Sequence, residues 1–468
     1  MNNENRREKK WQRPTLTPHR AGGLNKFGAN RYESVRDAID GVPVTELVKE
    51  YGSPLFVFSE RRLRENVRRV KRAFSARYPN VIQGWSYKTN YIGAVCNILH
   101  QEGAWAEVVS DFEYEKARSL GVPGEFILFN GPNKNRKILT RAVDEGAKLH
   151  IDHLDELALL EEVAREAGKV VPVTIRLNFD TGYTEAWSRF GFNIESGQAM
   201  EAAQRISQSE HLKLTGLHSH VGTFVTELRA YTSQVRIMCA FMESVEEATD
   251  CLIEYIDIGG GFASHNALQG VYLPPEEIVP SAEQYAEAIC DTLLEATNQR
   301  EAQGKNRPTL VLESGRALVD DAEELITSVV ANKRLPDGRR SVVVDAGINL
   351  LFTAFWYNHS LKPTRYLDGV PEETVVYGPM CMNIDVIRQS IMLPPLPTGE
   401  PLVIGPVGAY NNTQWMQFIE YRPNVVMVNE HGGVDVLRAA ENLEVMTQQE
   451  RMPEHLSQPF PNSLPNTL

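Results

Sequence analysis

The sequence predicts an α/β protein in two parts. A closed (β/α)8 barrel of the TIM type covers residues 55–316, and an all-β, Greek-key-like domain is built from residues 317–452 with 31–54 returning to it. Three observations predict this. A chain of 468 residues is too long for one ordinary domain and suits two. Short apolar or β-branched runs alternate with longer amphipathic segments eight times, the pattern of a parallel sheet that eight units close into a barrel. After Arg316 the texture changes to short strand-like runs separated by Gly, Pro, Asn and Asp.

Taken in order, residues 1–30 are polar and basic and read as a disordered tail. The segment Glu60 to Arg77 reads as an amphipathic helix outside the barrel. The eight strand runs are IQGWSYK (82–88), AWAEVVS (104–110), EFILFN (125–130), KLHID (148–152), VTIRLN (173–178), LTGLHSH (214–220), EYIDIGG (254–260) and TLVLES (309–314). Between them, DHLDELALLEEVAREAG keeps Leu154, Leu157, Leu160 and Val163 near one face and stops at Gly168. DFEYEKARSLG begins at an acid, Asp111, and stops at Gly121. The β region is expected in AEELITSVVANKRL, RRSVVVDAG, EETVVYG, EPLVIGP and NVVMVNEHGGVDVLRAA. The Pro- and Ser-rich segment 453–468 reads as a second disordered tail.

Composition narrows the function. A net charge of −13 opposes nucleic-acid binding. No run of about 18 apolar residues is present to cross a membrane. Five scattered cysteines without a C-x-x-C pair fit a reducing cytoplasm and give no metal signal.

The chemistry collects at the C-terminal ends of the barrel strands, where such barrels place their sites. Those ends are Lys88, Ser110, Asn130, Asp152, Arg176 with Asn178, His218 with His220, Gly259 to Gly261, and Glu313. Strand ends are always more polar than strand middles, but that alone does not predict a lysine, two histidines, a glycine triplet and an acid together. Gly259, Gly260 and Gly261 suit close approach of backbone N–H groups to a phosphate after the seventh strand. Arg316 adds a charge, and Thr223 a hydroxyl. A lysine in a partly desolvated mouth forms a Schiff base readily. Together these residues suit pyridoxal 5′-phosphate.

The chain resembles the fold-type III pyridoxal-phosphate decarboxylases: the diaminopimelate, ornithine and arginine decarboxylase group, related in fold to alanine racemase. The motifs that carry the resemblance are SYKTN, AEVVSDFE, GLHSHVGT, IDIGGGF, LESGRALV, GPMCMNID and GAYNNTQW, in the family's order, from about Val44 to about Glu450. The resemblance implies that Lys88 carries the cofactor, His220 stacks on its ring, and Glu313 pairs with the ring nitrogen. It places Gly259, Gly260, Gly261, Thr223, Arg316 and Tyr410 around the phosphate, and Glu107 beside the cofactor. An acid at Glu313 keeps the ring nitrogen protonated and favours decarboxylation over racemisation. Cys381 is implied to donate a proton in the neighbouring subunit's site, so the resemblance implies a homodimer. Asp385 is expected to pair across that interface with Arg189.

The pattern departs where the substrate's far end is held. Diaminopimelate enzymes usually have an acid directly after the cysteine, and here Met382 stands there. They usually have an Arg-Pro pair after DAG, and here the segment reads INLLFTAFWYNHSLKP, without arginine. Distal charges buried without partners cost several kcal/mol, about 2–7 per polar group. Phe352, Tyr357, Met382 and Asp385 are the expected substrate residues. The substrate is therefore expected to be an amino acid other than standard meso-diaminopimelate, either a conjugated or carrier-linked one or one with an acidic tail facing His359 and Arg365. A genuine diaminopimelate decarboxylase is the alternative, followed by a racemase or an inactive regulatory relative.

Overall fold

The computed structural model describes residues 35–457 and two short strands, Leu24–Asn25 and Gly28–Ala29, which pair antiparallel. The rest of the expected tails at 1–30 and 453–468 lies outside the described residues, apart from a 3-10 turn at Glu454–Leu456 and its immediate flanks.

Each of the eight runs forms a strand. They are Val81–Ser86, Trp105–Val108, Ile127–Phe129, Lys148–Ile151, Val171–Asn178, Leu212–Ser219, Tyr255–Asp257 and Thr309–Ser314. All neighbours are parallel, and the eighth strand pairs with the first, Glu313 opposite Gly84, closing the barrel. The outer helices follow from apolar spacing and caps. In Glu60–Ser75, Leu63, Val67, Val70 and Phe74 share the buried stripe, and the Ser59 hydroxyl accepts from the Arg62 N–H at 3.1 Å. Such a cap is worth about 1 kcal/mol. Leu154–Ala167 stops at Gly168, whose φ of 61° is the left-handed conformation glycine adopts without strain.

The second part is a nine-stranded, mainly antiparallel sheet. Its centre is the 12-residue strand Glu323–Arg334, which pairs with Leu55–Ser59, Arg340–Val344 and Pro401–Gly405. The pairings run as an open, branched path, so no closed Greek-key-like barrel forms by strand pairing among the described residues.

One boundary moves. Leu55–Ser59 falls inside the expected barrel segment 55–316, yet it belongs to the second sheet, antiparallel to Glu323–Arg334 and parallel to Val425–Val428. Both faces of this strand are covered. Phe56 and Phe58 join the main core, and Leu55 and Val57 join a smaller cluster with Val44, Leu47, Ile326 and Val426. A strand buried on both faces reads as an unbroken apolar run, and nothing in LFVFS itself tells which of two sheets it joins.

Candidate active site

At the barrel mouth, Lys88 lies in the turn Tyr87–Thr89 that ends the first strand. Its ammonium donates to both oxygens of Glu107, at 2.8 and 3.0 Å. Glu107 is on the neighbouring strand and fully buried. Desolvation works to lower the Lys88 pKa, but the carboxylates of Glu107 and Glu313 outweigh it and raise it. The turn itself is pinned by the second part of the molecule. Thr413 Oγ1 donates to the Lys88 carbonyl at 2.8 Å, the Tyr410 N–H to the Thr89 carbonyl at 2.8 Å, and Asn90 Nδ2 to the Gly408 carbonyl at 3.1 Å.

Glu313 lies near the end of the eighth strand, which pairs with the first on its other edge. The Asn130 amide nitrogen donates to Glu313 Oε1 at 2.5 Å and to Glu107 Oε1 at 3.1 Å. His218 Nε2 lies 3.4 Å from Glu313 Oε2. Below them, His150 Nδ1 is 4.0 Å from both Asp257 Oδ2 and Glu313 Oε1. Burial pushes both His150 and His218 well below the usual histidine range, so both are neutral. Burial, then Glu313, pushes the Asp257 carboxyl well up from the usual carboxylate range. Asp257 also accepts from the Gly259 N–H at 2.8 Å, fixing the start of the glycine turn.

His220 sits beside that turn and accepts through Nδ1 from the Gly260 N–H at 3.1 Å. Burial, helped by Arg176, holds its pKa down to about 3, so it is a neutral, flat ring. Trp187 packs on it at 5.1 Å between ring centroids. The turn tolerates only glycine at its centre. A Cβ on Gly260 would come 2.2 Å from the Glu313 carbonyl oxygen, and one on Gly261, at φ 88°, would come 2.4 Å from the Gly222 carbonyl oxygen.

Arg316 opens the helix Arg316–Val319 beside this turn and is only 9% exposed. Its guanidinium lies over the rings of Tyr410, Tyr357 and Phe224 at 4.9, 5.2 and 5.6 Å. Its Nη1 is buried without a hydrogen-bond partner. A buried, unspent cationic donor next to open backbone turns fits a phosphate. Tyr410 holds a left-handed φ of 69°, a strained conformation for a non-glycine residue. Thr223 is exposed in the turn before Phe224. The donor set, the lysine and the acid fit pyridoxal phosphate.

The Cys381 turn lies in the second part. Cys381 is exposed, Met380 is buried, and Met382 is half-buried against the main core. Asp385 is buried and accepts from the Ile348 and Met380 N–H groups, each at 2.8 Å. Each of its oxygens thus accepts a backbone N–H of its own chain. Its place is as the brace of the turn. The Tyr357 ring lies against the Arg316 guanidinium. Phe352 is half-buried and packs edge-on against Phe355 and Trp356. Neither cation expected for an acidic tail is available for one. His359 is buried and shares a hydrogen bond with Thr353, and Arg365 donates to Glu400 at 2.6 and 3.0 Å.

Sequence reasoning gave no role to Asn130, His150, Asp257 or Trp187. The signal for His150 was present: an imidazole between Leu149 and Ile151 in a barrel strand, and the structure buries it.

A closed barrel whose mouth combines a lysine, opposed acids, a neutral histidine and a glycine-arginine anion cradle defines a pyridoxal-phosphate enzyme. Residues 61–320 match the family model of the pyridoxal-dependent decarboxylases, pyridoxal binding domain. Along its length the chain is 32% identical to a diaminopimelate decarboxylase of Methanothermobacter thermautotrophicus, over 89% of this chain and 96% of that protein. A diaminopimelate decarboxylase of Archaeoglobus fulgidus is 30% identical over 89% and 97%. The crystal structure of diaminopimelate decarboxylase from Methanocaldococcus jannaschii superposes with a TM-score of 0.82 at 27% identity, covering 90% of this chain and 98% of that one. The chain belongs to the pyridoxal-dependent decarboxylase family and is a pyridoxal-phosphate-dependent amino acid decarboxylase. Among the described residues, no helix is long and apolar enough to cross a membrane.

Proposed function

We propose that this protein removes the α-carboxylate of an amino acid whose far end is larger or less charged than that of meso-diaminopimelate. Bound at Lys88, pyridoxal phosphate supplies an electron sink for the bond that breaks at Cα. Glu313 holds the ring nitrogen in its protonated form, and Asn130 keeps that carboxylate in place with His218 beside it. Neutral His220 presents a ring face to the cofactor. Gly259, Gly260, Gly261, Thr223, Tyr410 and the unspent Nη1 of Arg316 hold its phosphate. Glu107 neutralises the Lys88 ammonium, so its positive charge is not left bare at the mouth. Cys381, exposed on the second part, donates the proton to Cα in the site of a second copy, which makes the working form a homodimer.

Carbon dioxide loss is carried by the acid at position 313, with its carboxylate held between Asn130 and His218. The choice of substrate is carried by Met382, an apolar side chain beside the proton donor. Conjugated and carrier-linked amino acids are the substrates this favours. The second reading is meso-diaminopimelate itself, favoured by the names of the similar proteins. A carbon dioxide release assay over free and conjugated amino acids separates the two. Release from meso-diaminopimelate with the highest kcat/KM of the panel overturns the first reading.

A further inference from the structure

We propose that Asn130 is a positioning residue: its single amide nitrogen ties Glu107 to Glu313, so that both carboxylates face the cofactor as hydrogen-bond acceptors. This rests on the reading of Lys88 and Glu313 given above.

Asn130 follows the third barrel strand and is 3% exposed. Two carboxylates converge on it from strands on either side of the first one, Glu107 from the second strand and Glu313 from the eighth. Left alone, two such groups in a dry site disfavour each other's ionised form. An amide nitrogen has two hydrogens and no lone pair to offer, so each oxygen facing it must accept. The opposite amide orientation would set the carbonyl oxygen against both carboxylates. The Oδ1 that does face away has no hydrogen-bond partner among the described residues. Its Oδ1 is thus the group left unsatisfied while both amide hydrogens are used, which marks the two carboxylates as what fixes the side chain.

The remaining neighbours fit this division. Lys88 satisfies the oxygens of Glu107, and His218 faces the second oxygen of Glu313. His150 and Asp257 lie beneath, with Arg176 near Asp152 on the next strands. One side chain therefore couples the acid next to the lysine to the acid under the ring nitrogen.

The test uses the cofactor-loaded enzyme and two substitutions, Asn130→Ala and the isosteric Asn130→Asp. For each, the cofactor dissociation constant, the pH midpoint of its visible absorbance band, and kcat and KM are measured. Removal of a hydrogen bond to a charged group predicts a cofactor affinity about tenfold weaker in Asn130→Ala. It also predicts a midpoint moved by about one pH unit and a lower kcat with KM little changed. Asn130→Asp, which replaces the donor by a third acid, is expected to be worse in all three. Should Asn130→Ala fail to fold, Asn130→Asp reads the same quantities. The inference is overturned if folded variants keep affinity, midpoint and kcat within about twofold of the parent. If instead the parent protein shows no cofactor band or releases no carbon dioxide, the proposed function fails and not this inference.

Discussion

At the barrel mouth, Glu107, Asn130, His218 and Glu313 are each at most 5% exposed, and one amide nitrogen, that of Asn130, donates to both acids. The Cys381 turn is built the other way, with the thiol exposed and the brace, Asp385, buried behind it. The difference teaches where completeness lies. The mouth assembles its cofactor machinery within one chain. The cysteine turn presents its thiol to the surface, and under the proposed function its target lies in a second copy.

The largest effect expected is from Lys88→Ala, which removes the group that holds the cofactor. Carbon dioxide release should fall to background and the bound cofactor's lysine-dependent absorbance band should vanish. Cys381→Ser tests the other region. Loss of a positioned acid costs about 10²–10⁴-fold in kcat, with cofactor affinity unchanged. Mixing Lys88→Ala with Cys381→Ser chains should restore about a quarter of the activity, because random pairing leaves that fraction of two-fold sites intact. Recovery of nothing, measured after verified subunit exchange, would make the cysteine act at home and erase the contrast.

Met382→Glu should raise kcat/KM for a substrate with a distal ammonium by about tenfold, the effect of one net charge-assisted contact. An unchanged preference across the substrate panel sinks the role given to Met382. The smallest effects concern stability in the second part, where two buried groups titrate in opposite senses. Burial lowers His359 from 6.5 to about 4, and burial raises Glu323 well above 4.5. Below pH 6.5 the unfolded chain protonates His359 while the native one does not, so the native state loses stability on acidification. Above pH 4.5 the unfolded chain ionises Glu323 first, so the native state loses stability as pH rises. Relative to the parent, His359→Gln should gain more at pH 5 than at pH 8, and Glu323→Gln more at pH 8 than at pH 5. Tilts of about 1–2 kcal/mol are expected, read from denaturant midpoints.

The barrel was legible because each strand is a short apolar run and each helix repeats its apolar face every three or four residues. The strand Ser360–Pro363 and the strand Val386–Leu393 were not, since the first, SLKP, ends on a proline and the second is interrupted by Arg388, Gln389 and Ser390 in succession. Lys88, His220, Glu313 and the glycine triplet were legible as polar endings on apolar strands. Asn130 was visible as such an ending, but its role needs two acids 23 and 183 residues away, and no local pattern reports that separation. The bracing of the Cys381 turn by Asp385 was hidden for a related reason: it runs through the backbone amides of Ile348 and Met380, which no side-chain pattern reports.

The placement of Leu55–Ser59 has a consequence for how the chain is made. This strand leaves the ribosome before any barrel strand, yet its partners are Glu323–Arg334 and Val425–Val428, synthesised after the whole barrel. The loop at Gly408–Thr413 that pins the Lys88 turn is later still than the first of these. Folding from the N-terminus cannot therefore complete one unit before beginning the next. A nascent chain cut near residue 320 holds every barrel strand, an apolar early strand without neighbours, and a lysine turn with nothing yet to set it.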